Sequence, residues 1–393
     1  MFETLTAAPP DKILSLSVAY RNDPRTSKMD LGVGVYKDSS GATTIMKAVR
    51  EAEKRLYDSQ TTKTYVGMGG DDAFNKGMIR LVFGDDADTS RLFSCQTAGG
   101  SGALRTLAEL LHKARPDTTV WLSDPTWANH APILHAAGLK TATYPYFDAA
   151  TGSVRFEAML EGLKAAKPGD TVLLHGCCHN PTGANLSMDQ WPAVADLLIE
   201  RDLFPFVDLA YQGFGDGLDE DAAAVRLLAA RMPEMMVAAS CSKNFSVYRE
   251  RTGAAMLLCK DADAVKAAGS QALATTRVLY SMPPDHGAAA VRIILEDEAL
   301  FADWKAELEE MRLRMLNLRK GLADALRRHS NSDRFDFIAD HRGMFSRLGI
   351  TEDQVNRLRD EHGIYMVGDS RFNVAGLKED QLEDLAKAIV SVL

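Results

Sequence analysis

A lysine and an arginine lie eight residues apart in the segment "ASCSKNFSVYRERTG", residues 239–253. Lys243 follows an apolar run, Met235 to Ala238, that predicts a buried strand. An amine at the end of such a strand is placed to react with an aldehyde, and a guanidinium such as that of Arg251 could hold an anion. Taken alone, a lysine is more often a surface or ion-paired residue, so the role of Lys243 has to be inferred together with the polar residues around it.

A glycine-rich turn, "TAGGSGALRTL", follows another predicted strand. It opens a helix, which leaves backbone N–H groups free to bind a phosphate. Asp124 ends the next strand, as the acidic residue of a dinucleotide-binding fold would, but the pattern G-x-G-x-x-G fails at its last position, where Arg105 stands. By itself, the turn therefore indicates either a phosphate site or a plain tight turn.

Two histidines and two cysteines in "HGCCHNPTG", residues 175–183, raise the alternative of a metal site. Side chains alternate between the two faces of a strand, so at most three of the four could converge on one ion. We expect no metal here and interpret the histidines as buried and hydrogen-bonded. The more informative residue is Asn180, an amide that follows the strand at a turn forced by Pro181.

The segment "FVDLAYQGF" places Asp208 at the end of an apolar strand and Tyr211 three residues later. Such a carboxylate is by itself more often a structural cap. Together, however, a phosphate-binding turn, an aspartate, a tyrosine, an asparagine, a lysine and an arginine are the groups that pyridoxal phosphate requires. Lys243 would form a Schiff base with the aldehyde, and Asp208 would pair with the pyridinium nitrogen.

The elements that position these residues alternate along the chain. Nearly continuous apolar runs are separated by amphipathic helices, which predicts an α/β fold with a mostly parallel sheet between helices. Ligand sites of such sheets lie beyond the carboxyl ends of the strands. That is where the following residues fall: Ser101, Asp124, Asn180, Asp208 and Lys243.

A smaller α+β unit is predicted after a long charged helix at 297–328. Its expected strands are "FDFIAD", "GMFSRLG", "IYMV" and "FNVAG", with helices near 351–362 and 378–391. Near the N-terminus we expect an extended arm, a helix from about Asp11 to Tyr20, and a strand in "MDLGVGVYKD".

Composition and charge argue against several classes of protein. The chain has 393 residues, 46% hydrophobic and 25% charged, as in a globular enzyme of two or three domains. A net charge of −9 without a lysine–arginine block argues against nucleic acid as a partner. The apolar runs are too short to cross a membrane, and the N-terminus lacks the features of a signal peptide. Five cysteines without a CxxC motif argue against disulfides, so we expect a cytoplasmic location.

These motifs together resemble the class I aminotransferases of the aspartate and aromatic-amino-acid branch, over essentially the whole chain. The segments that carry the resemblance are "TTKTYVGMGG", "GGSGAL", "DPTWANH", "HGCCHNPTG", "VDLAYQGF", "SCSKNFSVYRERTG", "RVLYSMPPDHG", "GMFS" and "SRFNVAG". The resemblance implies the PLP-dependent transferase fold of the aspartate aminotransferase type, with pyridoxal 5′-phosphate as cofactor. It implies a large cofactor-binding domain at 43–310, a small domain at 15–42 and 311–393, and an arm at 1–14 at a dimer interface.

The resemblance also implies a role for each cofactor-binding residue. Lys243 would be the Schiff-base lysine and general base, and Asp208, backed by His130, would bind the ring nitrogen. Tyr211 and Asn180 would hydrogen-bond the phenolic oxygen of the cofactor. The remaining contacts would be stacking by Trp127 and binding of the phosphate by Ser101, Gly102, Ala103, Ser240, Arg251 and, from the neighbouring subunit, Tyr65.

Substrate recognition is implied in the same way. Arg371 would bind the α-carboxylate as a bidentate fork, and Arg277 of the neighbouring subunit would read the distal carboxylate of aspartate or glutamate. The residues expected beside the substrate are Gly34, Trp127, Asn180 and Met282.

Three positions near the expected substrate depart from the aspartate-specific pattern. Thr64 and Met282 stand where that branch usually has asparagine, and Ala103 where it usually has threonine. Each change removes hydrogen-bonding capacity, and Met282 could pack against a ring. If Arg277 swung toward solvent, an apolar slot would remain. Val35 and Lys37, among others, are still as in the aspartate enzymes.

The predicted activity is therefore that of a dual-specificity aromatic-amino-acid aminotransferase. It would transfer the amino group of phenylalanine, tyrosine or tryptophan, and of aspartate or glutamate, to 2-oxoglutarate with ping-pong kinetics. The alternatives are an aspartate aminotransferase with little aromatic activity, a pyridoxal-phosphate lyase or decarboxylase, and a non-catalytic binding protein of the same fold. We expect a homodimer whose two sites each use Tyr65 and Arg277 of the other subunit.

Overall fold

The computed structural model describes residues 1–7 and 10–393. The α-helices are α1 (Lys12–Asn22), α2 (Lys47–Ser59), α3 (Asp72–Phe83), α4 (Gly99–Ala114), α5 (His130–Ala136), α6 (Phe156–Leu163), α7 (Trp191–Glu200), α8 (Ala223–Arg231), α9 (Ala262–Leu279), α10 (His286–Glu296), α11 (Glu298–Ser330), α12 (Phe337–Asp340), α13 (Glu352–His362) and α14 (Leu382–Ser391). Short 3-10 helices lie at Phe2–Thr4, Thr89–Arg91, Glu220–Ala222, Val374–Gly376 and Glu379–Gln381. The predicted arm at 1–14 includes positions 8 and 9, which lie outside the described residues.

The strands form one large sheet and three short pairs. They are β1 (Met29–Asp30), β2 (Leu92–Ala98), β3 (Thr119–Asp124), β4 (Lys140–Pro145), β5 (Phe147–Asp148), β6 (Ser153–Val154), β7 (Thr171–His175), β8 (Phe204–Leu209), β9 (Met235–Ser240), β10 (Thr252–Leu258), β11 (Phe345–Arg347), β12 (Ile364–Tyr365) and β13 (Arg371–Asn373). The short pairs are β1 with β12, β5 with β6, and β11 with β13.

The large sheet has the strand order β2-β10-β9-β8-β7-β3-β4. Its strands from β9 to β4 pair in parallel, whereas β10 is antiparallel to both β2 and β9. Because β2 therefore points the same way as the parallel strands, the carboxyl ends of these strands meet at one edge, beside the start of β10. The mostly parallel sheet predicted from the sequence is confirmed.

Both faces of this sheet are covered by apolar side chains. Alternate residues of a strand point to opposite faces, so Phe206 of β8 packs with α4 and α9 while its neighbour Val207 packs on the other side. The same alternation holds in β9, where Met236 and Val237 belong to different clusters. This two-sided burial explains why the strands are nearly continuous apolar runs.

A further hydrophobic core is built from Leu31 and from residues that begin at Leu318. Helix α11 contributes to both parts of the molecule, because its buried residues up to Met315 pack in the core of the sheet and those from Leu318 onward pack in the second core. The expected boundary at 310/311 falls inside this continuous helix. We propose that the sheet and its helices are the large domain at 43–310, and that the second core is the small domain at 15–42 and 311–393.

The segment "FDFIAD" is a short helix, and its prediction as a strand is wrong. The alternation of Phe335 and Phe337 indicates a strand, but the fully buried residues are Phe335 and Ile338, which lie three apart. That spacing places both side chains on the same face of a helical turn, where they join the second core.

The predicted strand "MDLGVGVYKD" is largely irregular, since only Met29 and Asp30 pair with another strand. Beyond them, side chains take the place of a neighbouring strand. Asn373 Nδ2 donates to the carbonyl oxygens of both Val33 and Val35 at 2.8 Å. The backbone groups are thereby satisfied without a ladder, which leaves this segment free to curve toward the site.

Among the described residues, no helix combines the length and the apolar character needed to cross a membrane. The cysteines Cys95, Cys177, Cys178, Cys241 and Cys259 are all free thiols and all buried.

Candidate active site

A cavity of about 310 Å³ lies at the edge where the carboxyl ends of the strands meet. Ten of the residues predicted for the site line it: Gly34, Ser101, Trp127, Asn180, Asp208, Tyr211, Ser240, Lys243, Arg251 and Arg371. These residues come from β8, β9, β13, the start of α4 and the intervening loops, so the sheet topology brings them together across more than three hundred residues of sequence.

Lys243 stands three residues beyond the end of β9, with its amine directed into the cavity. Its Nζ lies 4.8 Å from the centroid of the Tyr211 ring. Removal from water lowers the pKa of the amine, with a further contribution from Arg251, and Asp208 opposes this change. A lysine with a lowered pKa has more of its amine in the neutral, nucleophilic form.

Asp208 is a buried carboxylate at the carboxyl end of β8, fixed by His130. His130 Nε2 donates to Asp208 Oδ2 at 3.0 Å, and Thr126 Oγ1 donates to His130 Nδ1 at 2.8 Å. Burial alone would raise the pKa of Asp208, but the hydrogen bond and field of His130, and then the fields of His175 and Lys243, lower it. Asp208 is therefore an anion within the cavity and can hold a protonated nitrogen opposite it.

Tyr211 and Asn180 form a second polar pair. Asn180 Nδ2 donates to the Tyr211 hydroxyl oxygen at 3.4 Å, so the hydroxyl proton stays free to donate to a ligand. Asn180 Oδ1 is buried and has no hydrogen-bond partner among the described residues. Burial raises the pKa of Tyr211, which keeps the hydroxyl protonated at neutral pH.

The start of α4 forms a cradle with Ser240 and Arg251. The pairing of β10 with β2 and β9 places Thr252 opposite Ala98 and Gly253 opposite Ser240. A Cβ on Gly99 would lie 2.6 Å from Arg251 Nη2, and a Cβ on Gly100 would lie 3.0 Å from the Cβ of Ser240. Glycines are therefore needed where the guanidinium and the serine approach the free N–H groups of the helix, which is an arrangement for an anion.

Arg371 supplies a second anion site on the opposite wall. The side chain is buried, its Nη2 donates to the carbonyl oxygen of Gly32 at 3.0 Å, and its Cζ lies 4.4 Å from the centroid of the Phe345 ring. Burial lowers the pKa of Arg371, and its Nε has no hydrogen-bond partner among the described residues. Gly34 lies beside the same ring, where a Cβ would come within 2.8 Å of Phe345 Cζ.

Six residues predicted for the site do not line this cavity, and one of them, His130, lies behind Asp208 as described above. Tyr65 is 91% exposed, Arg277 is exposed in the last turn of α9, and the sulfur of Met282 accepts a hydrogen bond from the backbone N–H of Gly67. Gly102 lies one turn inside α4, and the methyl group of Ala103 packs in the apolar core beneath the helix. The alanine at position 103, where the aspartate branch usually has threonine, therefore removes a hydroxyl from the core beneath the glycine-rich turn.

The cavity has further lining residues that are not among those predicted: Ile13, Gly100, Leu104, Ala210, Ser242, Tyr248 and Phe345. Gly100 and Ser242 lie within predicted motifs and could have been named from their positions beside Ser101 and Lys243. Ile13 and Phe345 lie in a helix and a strand far from these motifs, and no local pattern indicates that they reach the site.

The histidines of "HGCCHNPTG" differ from each other in their bonding. His179 is hydrogen-bonded to Ser123 at 2.9 Å and to Thr182 at 2.8 Å, as predicted. For His175 the predicted hydrogen bonding is wrong, because neither of its ring nitrogens has a partner among the described residues. Burial lowers the pKa of His175 to about 3. One atom each of His130, His175 and Asp208 lie within 4.8 Å of one another. The expected absence of a metal stays a prediction.

These groups fit pyridoxal phosphate. The N-terminus of α4 with Arg251 offers a site for the phosphate, Asp208 an anion for the ring nitrogen, and Tyr211 a free hydroxyl proton. The neutral fraction of the Lys243 amine is available to bind the aldehyde carbon.

The comparisons with known proteins agree with this chemistry. A family model described as "Aminotransferase class I and II" matches residues 26–389. The chain belongs to the class I and II aminotransferases. Its cofactor is accordingly pyridoxal phosphate, its reaction is amino-group transfer, and its fold is of the aspartate aminotransferase type. The family resemblance found in the sequence is confirmed.

Individual members of the family are similar over their whole length. The aromatic-amino-acid aminotransferase of Paracoccus denitrificans is 54% identical over 392 residues, with 100% of each chain covered. A solved structure of an aromatic amino acid aminotransferase with 3-indolebutyric acid has a TM-score of 0.97 at 54% identity, again covering 100% of both chains. The aromatic-amino-acid aminotransferase of Burkholderia pseudomallei, solved covalently bound to pyridoxal phosphate, has a TM-score of 0.98 at 41% identity, covering 100% of this chain and 99% of that one.

Proposed function

We propose that this aminotransferase accepts both aromatic and dicarboxylic amino acids, with 2-oxoglutarate as the acceptor. The observation that carries the proposal is the lining of the cavity within one chain. Arg371 is its buried cation for an α-carboxylate, while Ile13, Trp127 and Phe345 give it an apolar wall and Arg277 lies outside it. The names of the similar proteins, which are aromatic-amino-acid aminotransferases, support the aromatic substrates.

The residues predicted for the site each have a task in this proposal. Pyridoxal phosphate, when bound, supplies the electron sink for the charge that leaves the substrate Cα. Lys243 would hold the cofactor and, once displaced by substrate, would move the proton at Cα, for which its lowered pKa suits it. Asp208 would keep the ring nitrogen protonated, and Arg371 would orient the substrate by its α-carboxylate.

The cofactor would be held at further points by residues of the site. Tyr211 and Asn180 would bind its phenolic oxygen, Trp127 would stack on its ring, and His130 would fix Asp208. The phosphate would lie against the start of α4, bound by Ser101, Gly102, Ala103, Ser240 and Arg251.

We further propose that the active unit is a homodimer, in the cytoplasm. Tyr65 and Arg277 are exposed in the single chain although the resemblance assigns both to an active site, which is expected if they complete the site of the other subunit. Met282 is tied to the Tyr65 segment through its bond to Gly67, so it would contribute at the same place.

A substrate panel tests the proposed specificity. Phenylalanine, tyrosine, tryptophan and aspartate are each offered with 2-oxoglutarate, and glutamate formation is followed. All four should serve as donors, and double-reciprocal plots should give the parallel lines of a ping-pong mechanism. Negligible rates with the three aromatic donors would make the chain an aspartate aminotransferase. Breakdown of the donor without glutamate formation would indicate a lyase or decarboxylase.

A further inference from the structure

A buried carboxylate behind the site has no role in the chemistry above. Asp221 lies in the 3-10 helix Glu220–Ala222 and accepts three hydrogen bonds from backbone N–H groups. Its Oδ2 accepts from Gly213 and Gly215, both at 2.8 Å, and its Oδ1 accepts from Asp216 at 3.0 Å. A single carboxylate thus fixes the backbone of the loop that follows β8.

The loop is shaped to admit this carboxylate. A Cβ on Gly215 would lie 2.3 Å from Asp221 Oδ1, so a larger residue there would push the carboxylate away. Gly213 has a φ of +93°, a left-handed conformation that favours glycine, and a Cβ there would also meet Leu308. Both glycines are therefore required by the position of Asp221 and its surroundings.

The fixed loop begins at a residue of the active site. Phe214 N–H donates to the carbonyl oxygen of Tyr211 at 2.9 Å, so Tyr211 and the N–H groups held by Asp221 belong to one continuous turn. The Tyr211 hydroxyl has a single described partner, Asn180, at the long distance of 3.4 Å. Its placement in the cavity therefore depends on the backbone that carries it, together with the packing of its ring edge-on to Phe345.

We propose that Asp221 is a positioning residue for amino-group transfer, which sets the direction of the Tyr211 hydroxyl by clamping the turn after it. The proposal rests on the role in cofactor binding that is proposed above for Tyr211. Asp221 touches neither cofactor nor substrate in this scheme and acts only through the backbone of residues 211–216.

The chemistry of the clamp requires a carboxylate. Burial raises the pKa of Asp221 to about 6 although its three N–H partners favour the charged form. The ionisable groups that face it are the thiols of Cys177 and Cys178, the carboxylate of Asp216 and the guanidinium of Arg312. An asparagine at position 221 would have one acceptor oxygen for Gly213 and Gly215 and would turn an NH₂ group against the N–H of Asp216.

The test uses the pH dependence of the visible absorption band of the holoenzyme, which reports the protonation state of the bound cofactor. Removing a donor to the phenolic oxygen raises the apparent pKa of this change, because the hydroxyl stabilises the deprotonated form. Tyr211→Phe should raise it by about 1–2 units, the value of a hydrogen bond to a charged group. Asp221→Asn should raise it by about half a unit or more.

The double variant, Tyr211→Phe with Asp221→Asn, decides whether the two residues act through each other. It should show no larger shift than Tyr211→Phe alone, because the hydroxyl that Asp221 positions is already gone. Asp219→Asn is the matched control, since this exposed carboxylate lies in the same loop and pairs only with Arg226 and Lys305 among the described residues, and it should give the wild-type value. Should Asp221→Asn fail to fold, Gly215→Ala displaces the carboxylate from the other side and should give the same shift.

The outcomes separate this inference from the proposed function. If Tyr211→Phe shifts the apparent pKa while Asp221→Asn and Gly215→Ala leave it at the wild-type value, the role of Asp221 is refuted and that of Tyr211 stands. Additive shifts in the double variant would likewise refute it, because the two residues would then act independently. If Tyr211→Phe itself has no effect, the role proposed for Tyr211 fails, and the inference fails with it.

Discussion

The opposite charges of Lys243 and Asp208 reduce the free-energy cost of burying each of these two side chains. The field of Asp208 raises the pKa of Lys243 while burial lowers it, and the charge of Lys243 helps to lower the pKa of Asp208. His130 adds a directed hydrogen bond, which fixes the carboxylate in one orientation. The cavity therefore contains one anion with a defined position and one amine whose basicity is reduced, which is the pairing that amino-group transfer on pyridoxal phosphate needs.

The first prediction concerns a variant that lacks the amine of Lys243. Lys243→Ala should lose transamination almost completely, by at least about a thousandfold in kcat, because both the anchor of the cofactor and the base at the substrate Cα are lost. Initial rates with phenylalanine and 2-oxoglutarate measure this. Lys260→Ala, which removes an exposed lysine, should keep the wild-type rate. Near-normal turnover of Lys243→Ala would remove Lys243 from its central role.

The residues of the site differ in how visible they are in the sequence. Asp208, Asn180 and Lys243 follow strands whose apolar runs are evident, so the edge of a parallel sheet predicts that they meet. Phe345 and Ile13 have no such signal, because an apolar residue in a helix or strand is as easily core as cavity wall. Their position depends on packing between segments more than three hundred residues apart, which no local pattern contains.

At the scale of elements, α11 supports the site through a buried arginine. Arg319 is fully buried and donates to carbonyl oxygens and a hydroxyl but to no carboxylate among the described residues. Its acceptors include the carbonyl oxygens of Gly343 and Phe345, both at 2.7 Å, and Ser346 Oγ at 2.7 Å. The planar fork of arginine thereby holds the strand whose Phe345 ring lies against Arg371.

The second prediction concerns a variant in which the guanidinium of Arg319 is replaced by the single ammonium group of lysine. Arg319→Lys should lower the free energy of unfolding by about 2 kcal/mol or more, because a shorter reach leaves buried acceptors without a donor. Urea denaturation of the holoenzyme measures the loss. Arg328→Lys is the control on the same helix, because Arg328 is exposed, and it should change stability by less than about 0.5 kcal/mol. Equal stability of the two variants would show that Arg319 does not support this strand.

The third prediction concerns acid. His341 donates from Nε2 to the carbonyl oxygen of Gly152 at 2.7 Å, and its Nδ1 lies 3.0 Å from Ser346 Oγ. Burial, with the charge of Arg319, lowers its pKa to about 3 from 6.5 in an unfolded chain. Its contribution to stability is thus fully present above pH 6.5 and is lost as the pH falls from there toward 3, since the unfolded state then binds the proton more readily.

Urea midpoints at pH 7.5 and pH 5 measure this contribution. The wild type should lose more stability between the two pH values than His341→Gln, whose side chain does not titrate. His329→Gln removes an exposed histidine and should retain the wild-type loss. Equal losses in the wild type and His341→Gln would contradict the assignment.

Helices and strands can be predicted from the sequence where buried residues recur with a regular period. They are harder to predict where side chains, and not a neighbouring strand, hydrogen-bond the backbone. The strands of the large sheet and the helices α11 and α13 agree with their patterns. The segment at 31–36 has the composition of a strand, but Asn373 and Arg371 satisfy its carbonyl oxygens from the side. These side chains thus take the place of a neighbouring strand. Because they lie more than three hundred positions away in the sequence, the local sequence does not predict that this segment is irregular.

At the scale of the whole molecule, several exposed residues are those that the proposed dimer would cover. Tyr65, Val66, Met68 and Val278 are all exposed apolar or aromatic side chains, and Arg277 stands next to Val278. Exposed apolar clusters of this kind are typical of protein interfaces. They support the proposed dimer, in which one site uses Lys243 of one subunit and Arg277 of the other.

The fourth prediction tests this shared site by mixing variants. Lys243→Ala and Arg277→Ala should each be inactive or nearly so with aspartate, yet their heterodimer should contain one intact site. After subunit exchange, a random equal mixture should regain about one quarter of the wild-type activity, because half of the dimers carry one intact site of two.

A second mixture serves as the control for this experiment. Lys243 and Arg371 line the same cavity of one chain, so Lys243→Ala mixed with Arg371→Ala should regain nothing. If the first mixture also stays inactive after exchange has been confirmed, Arg277 does not act across the interface.

The most direct test of dual specificity is the ratio of kcat/KM for aspartate to that for phenylalanine, in the wild type and in Arg277→Leu. We expect the wild type to use both donors. The variant should lose about 3–5 kcal/mol of transition-state binding for aspartate, on the scale of a lost buried charge pair, and much less for phenylalanine. Lys266→Leu, which removes another positive charge from α9, should leave the ratio unchanged. Equal losses for both donors in Arg277→Leu, or negligible use of phenylalanine by the wild type, would contradict the account.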